Sequence, residues 1–276
     1  GSAVLYSEIV SAFQHTKVAP DLVFKGEHVH FRYPGTENGL HGFSFCQPGG
    51  RLVGVMGGSG AGKSTLLSIL NGQLRPDYGR VLVSGIDLHR EPQRLEGVIG
   101  YVPQDDLLFE DLSVFDNLYF SACLSLANLN ADERTRRVDA VLRELNQIET
   151  RDLKVGTPLN KTISGGQRKR LNIALELIRE PSILFVDEPT SGLSSADSEN
   201  VMGLLKAQAA KGRLVIAVIH QPSSRIYKMF DTLWVLDQGG RPIFDGNPLE
   251  ALVYFRSAAH KAGEEEYSCP HCGSVH

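Results

Sequence analysis

The stretch Ile163–Asn172, "ISGGQRKRLN", decides how the chain is read. Leu171, Ala174, Leu175 and Ile178 form an apolar stripe at helical spacing. Ser164 followed three residues on by Gln167 fits a capping box, so a helix begins here. Gly165 and Gly166 occupy its first turn, where each glycine costs about 1 kcal/mol relative to alanine. Arg168, Lys169 and Arg170 then place cations at the dipole end that favours anions. A helix start with bare N–H groups, a serine hydroxyl and no carboxylate is suited to an anion brought from outside.

A second such start lies upstream. Residues Gly57, Gly58, Ser59, Gly60, Ala61, Gly62, Lys63 and Ser64 spell the phosphate loop G-x-x-x-x-G-K-[ST], with the apolar run "RLVGVM" before it and "TLLSIL" after. Glycines let backbone N–H groups turn inward around phosphate oxygens. Lys63 is placed to reach the β and γ phosphates, and the Ser64 hydroxyl to ligate Mg²⁺. Asp187 and Glu188 follow the run "SILFV"; the first carboxylate suits a metal, the second an attacking water. His220 ends another apolar run and is placed to touch the γ-phosphate, and the Gln104 amide to sense the metal. Tyr33 offers a ring on which an adenine can stack.

Four apolar runs end in polar clusters: "RLVGVM" in "GGSGAGKST", "VIGYV" in "PQDD", "ILFV" in "DEP" and "LVIAVI" in "HQPS". In open α/β sheets ligands bind outside the carboxyl ends of strands, so the four endings point to one site. Two phosphate-binding helix starts then accompany one nucleotide pocket, and the second serves a nucleotide held by another copy.

The chain has 276 residues, 42% hydrophobic and 22% charged, the balance of a soluble globular protein. Its net charge of -4 gives no support to nucleic-acid binding. The apolar runs are strand-sized and none approaches a membrane span. No leader is visible, and Gly1-Ser2 reads as a cloning scar on an N-terminal linker or extension, residues 1–21, with a short helix and a linker ending at Pro20 expected over 3–20. Val29, Phe31 and Tyr33 alternate with polar residues as a half-buried strand does. A helical insertion is expected over about 105–178, and a last helix around Leu249 to Phe255. Cys46 and Cys123 read as buried small hydrophobes. In the tail, 256–276, Cys269 and Cys272 of "CPHCG" have the spacing of half a zinc knuckle. No second CxxC exists to complete it, although His271 and His276 stand near, and a bare tail is the preferred reading.

Taken in order, "GGSGAGKST", "YVPQDD", "ISGGQRKR", "ILFVDEPTSGL" and "VIHQPS" resemble the ATP-binding-cassette (ABC) ATPases, as Walker A, Q-loop, signature, Walker B with D-loop, and H-loop. The resemblance covers about residues 22–255 and is most specific to the G (White-type) transporters, which export sterols, lipids and drugs. It implies an α/β P-loop NTPase (RecA-like) core with an antiparallel β subdomain and an inserted α-helical subdomain. It implies ATP and Mg²⁺ as cofactors, with ATP on Tyr33, Gly57 to Thr65, Gln104 and His220, and Mg²⁺ on Ser64, Gln104 and Asp187. Glu188, His220 and Lys63 carry catalysis in this picture, while Ser164, Gly165, Gly166 and Gln167 hold the ATP of a partner copy. The implied setting is the cytoplasmic face of a membrane, with a transmembrane domain fused or on another chain. Rival readings are a soluble ABC ATPase acting on ribosomes or DNA, and a regulatory cassette with little hydrolysis. Two departures stand out: Ile163 replaces the usual leucine, and Ser194 the usual D-loop aspartate.

After Gln104, Leu107, Leu108 and Phe109 lie between carboxylates, the pattern of an apolar docking patch with a polar rim. At least one of Leu108 and Phe109 is expected to be partly exposed.

Overall fold

The computed structural model describes residues 21–157 and 162–263. The expected 3–20 helix and the Cys269/Cys272 knuckle lie outside the described residues.

Two sheets organise the chain. Strands β1 (Val23–Arg32), β2 (Gly39–Pro48), β4 (Tyr78–Val83) and β5 (Ile86–Asp87) form an antiparallel sheet in the order β2-β1-β4-β5. The second has six strands, β10-β9-β3-β8-β7-β6. Its members are β3 (Leu52–Gly57), β6 (Ile99–Val102), β7 (Ile183–Asp187), β8 (Leu214–Val218), β9 (Thr232–Asp237) and β10 (Arg241–Gly246). From β6 to β9 the pairings are parallel, and β10 returns antiparallel along β9. All five residues of β8 are buried, the unbroken apolar run of a strand covered on both faces. This is the α/β class with an antiparallel sheet read from the sequence.

Helix α1 (Lys63–Leu70) buries Leu66, Leu67, Ile69 and Leu70 in a core shared by the two sheets. Aromatic rings bridge the sheets there: Trp234 of β9 lies 4.7 Å from Phe45 and 5.1 Å from Phe43, centroid to centroid, and Phe24 lies 6.1 Å from Phe185. The opposite face of the parallel sheet packs on helices. Helix α2 (Val114–Ser125) is capped by Ser113, whose Oγ accepts from Asp116 N. Helix α3 (Ala131–Glu144) starts with a full capping box of Asn130 and Glu133, and turns Val138, Val141 and Leu142 to the core. Helix α4 (Gly165–Leu177) is buried along Leu171, Ile173, Ala174 and Leu177, and Arg137 of α3 donates to the Leu177 and Ile178 carbonyls at its end. Helices α5 (Ser195–Ala210), α6 (Ser224–Tyr227) and α7 (Pro248–Gly263) complete the described chain.

Several expectations need correction. Cys46 is exposed and Cys123 half-buried, not core. In the second half of β2 the buried positions are Phe43, Phe45 and Gln47, so the alternation of the strand turns Cys46 outward. The last helix runs Pro248–Gly263, well beyond Phe255. The expectation after Gln104, by contrast, is met at Phe109: Leu107 and Phe109 are 69% and 67% exposed, while Leu108 joins the helical core at 9%.

Trp234→Ala removes the largest side chain joining the sheets and should cost about 3–5 kcal/mol in urea unfolding. Tyr78→Ala, at a residue 73% exposed, should stay within about 0.5 kcal/mol of wild type.

Candidate functional site

The glycine-rich loop joins β3 to α1. Gly62 sits at φ 82°, caps α1 without a side chain, and the first turn holds no acidic residue. The first N–H groups of α1 therefore remain for an anion, which the helix dipole favours. A Cβ at Gly62 would also lie 2.9 Å from the Gly39 carbonyl oxygen, so shape and backbone both require glycine there. Lys63, nearly buried, folds over the loop and donates to Gly57 O (2.9 Å) and Gly58 O (2.8 Å). Around them opens a cleft of about 530 Å³, within the ordinary range for small-molecule sites. Ser59, Gly60, Ala61, Ser64 and Thr65 line it, with Glu188 and His220 across from them. Tyr33 stands at its mouth, 41% exposed, its hydroxyl 3.3 Å from Thr65 Oγ1. Asn38 and Gly39 also line the cleft and were not singled out from the sequence.

The carboxylates come from the end of β7. Burial, and then the charge of Glu188, push Asp187 above the usual carboxylate range; Tyr101, Lys169 and Lys63 pull the other way. The Tyr101 hydroxyl approaches Asp187 Oδ2 at 3.5 Å. Glu188 adopts φ 44°, and Gln221, just after His220, φ 50°. A left-handed non-glycine residue costs about 1–3 kcal/mol and marks a place where the chain aims a side chain. Gln104 reaches the same point: its Nε2 donates to Glu188 Oε2 at 3.1 Å. A half-buried carboxylate raised first by burial and then by its acidic neighbour, opposite a glycine cradle with free N–H groups, fits a phosphate chain carrying a divalent cation.

Ser164 opens α4 as the capping box requires. Its Oγ accepts from Gln167 N (3.1 Å), and Gln167 Oε1 accepts from Ser164 N (2.7 Å). The three cations after the glycines do not all face solvent: Arg168 and Lys169 are buried at 6% and 7% exposure. Arg168 pairs with Asp106 (2.9 Å), and Lys169 donates to the Gln104 carbonyl (2.9 Å). Sequence spacing gave no sign of either contact. Ser164, Gly165, Gly166 and Gln167 do not line the cleft around Lys63. One chain thus brings Lys63, Glu188, His220 and Gln104 together and leaves the Ser164 helix start outside their cleft.

A family model described as ABC transporter matches residues 40–191, more than half of the chain. The chain belongs to the ABC transporter family. ABC transporter G family member 14 of Arabidopsis thaliana is 40% identical over 224 residues, covering 79% of this chain and 33% of that protein. The broad substrate specificity ATP-binding cassette transporter ABCG2 of Mus musculus is 41% identical over 222 residues, again 79% of this chain and 33% of the relative. Among solved structures, cbiO1 from Clostridium perfringens, part of the ABC transporter complex cbiONQ, matches with a TM-score of 0.75 at 30% identity, covering 89% of this chain and 96% of that one. This chain spans about a third of the length of the curated relatives. It is an ABC nucleotide-binding domain, similar to those of G-family transporters, and its family hydrolyses ATP.

Within this ABC domain the D-loop departure has a local outcome. Ser194 caps α5: its Oγ accepts from Asp197 N (3.1 Å) and donates to Asp197 Oδ2 (2.9 Å). Asp197 lies against the signature helix, where a Cβ on Gly166 would meet its Oδ1 at 2.6 Å. The sequence led one to expect a signature start with no carboxylate; this is corrected, because α5 supplies Asp197 from beside it. Gly166→Ala should lower stability by about 1–3 kcal/mol through this overlap, despite alanine's better helix propensity. Adding Asp197→Ala should recover most of the loss in the same thermal or urea unfolding experiment.

Proposed function

We propose that this domain powers a membrane exporter of lipid-like or hydrophobic cargo, hydrolysing ATP sandwiched between two copies. One observation carries the two-copy reading: Ser164 and its glycines lie outside the cleft that Lys63, Glu188 and His220 share. Each cleft would be closed by the other copy's α4 start, whose N–H groups and Ser164 hydroxyl meet the γ-phosphate.

The chemistry is positioning and charge stabilisation. The loop N–H groups, the α1 dipole and Lys63 hold the β and γ phosphates, and Lys63 must leave the Gly57 and Gly58 carbonyls to do so. Tyr33 stacks the base. Ser64, Asp187 and Gln104 would hold Mg²⁺, which when bound neutralises charge on the phosphate oxygens. Glu188 accepts a hydrogen bond from the attacking water and draws off its proton as the bond to the γ-phosphorus forms and the bond to the β–γ bridging oxygen breaks, releasing ADP and inorganic phosphate. His220 steadies the γ-phosphate from the end of β8.

For the membrane partner, Phe109 is the lead. It lies in a groove of about 950 Å³ with Phe120 and Leu124, rimmed by Glu96 and Arg179. Phe109, Phe120 and Leu124 are 67%, 50% and 89% exposed, an apolar patch of the kind that takes a partner helix. Among the described residues no helix is long and apolar enough to cross a membrane. In this reading the partner helix belongs to a transmembrane domain, fused or on another chain, and this domain works at the cytoplasmic face of the membrane; the exposed apolar groove supports it.

Two experiments test these roles. Glu188→Gln should keep Mg-ATP affinity within about two-fold, slow hydrolysis at least about a hundred-fold, and accumulate an ATP-bound dimer in light scattering. A variant that stays monomeric at high protein concentration overturns the sandwich. Phe109→Glu should leave hydrolysis by the isolated domain within about two-fold while abolishing transport in the assembled transporter. Normal transport would remove the groove from the coupling route.

A further inference from the structure

We propose that Lys169 is a positioning residue for ATP hydrolysis, tying α4 to the backbone of Gln104 so that the Gln104 side chain holds Glu188. This rests on the ATPase reading above and adds an internal link to it.

Lys169 lies on the second turn of α4 and is 7% exposed. Its Nζ donates to Gln104 O at 2.9 Å and to Pro103 O at 3.4 Å. Its neighbours on α4 hold the next residues of the same segment. Arg168 donates to both carboxylate oxygens of Asp106, at 2.9 and 3.2 Å. Asn172 donates to Asp105 O and accepts from Leu107 N, each at 3.4 Å. Residues 103–107 are thus fastened to one helix almost residue by residue, and Gln104 Nε2 extends from that strip to Glu188 Oε2 at 3.1 Å.

A buried ammonium is costly unless something compensates it. Burial lowers the affinity of Lys169 for its proton, while Asp187, Asp106, Asp105 and Glu188 raise it. The compensating charges are thus the catalytic carboxylates and the acidic residues after Gln104. The start of α4 faces another copy's nucleotide in the sandwich, and Lys169 grips the chain's own site. Any shift of α4 on docking is passed through Lys169 and Gln104 to Glu188.

The test is a double-mutant cycle in the 276-residue chain. Mg-ATP turnover, affinity for a fluorescent ATP analogue with Mg²⁺, and thermal unfolding are measured for wild type, Lys169→Met, Gln104→Ala and the pair. Lys169→Met is expected to lower kcat about ten-fold with affinity within about two-fold. The double variant should be no slower than Gln104→Ala alone, because both act through one link. If Lys169→Met fails to fold, the milder Lys169→Gln takes its place with the same expectation. Wild-type turnover in the folded variant, or losses that multiply in the pair, overturn the inference and leave the ATPase reading standing. A wild-type chain that neither binds nor hydrolyses Mg-ATP overturns both.

Discussion

Two adjacent carboxylates held partly out of water, Asp187 and Glu188, set the terms for the rest of the domain. Their mutual repulsion and the burial of Asp187 disfavour two negative charges at the end of β7. The fold answers with cations from different elements. Lys63 comes from the first turn of α1 and Lys169 from α4, and both act on Asp187. Each lysine is nearly buried and folded onto backbone carbonyls, so its position is fixed by the loop it touches. The strand order makes the gathering available: β3, β8, β7 and β6 are consecutive and parallel, so their carboxyl ends share one edge.

Where a residue answers a backbone requirement, the sequence made it legible. Gly62 must be left-handed and clear of Gly39, and Ser164 with Gln167 must satisfy the N–H groups of a helix start. Both are short-range needs, written in adjacent residues. The four strand endings were legible for a related reason, since a buried parallel strand reads as an unbroken apolar run. Lys169 was not, because its partner lies 65 residues away and no spacing rule connects them. Cys46 failed on facing: whether a strand residue points in or out depends on register, and a one-residue difference reverses it.

The D-loop departure is absorbed locally. A helix start needs a short acceptor at its cap, and serine serves as well as aspartate there. Ser194 does this for α5, with Asp197 as the residue it caps and holds. The negative charge missing at 194 reappears one turn on, against Gly166 of the signature helix. Within the sandwich proposed above, a carboxylate beside that helix start weakens its attraction for a γ-phosphate at any distance the dipole acts over. Asp197 thus links two serine-capped helix starts: its backbone N–H is capped by Ser194 at the start of α5, Ser164 caps α4, and its carboxylate packs where a side chain on Gly166 would have to go.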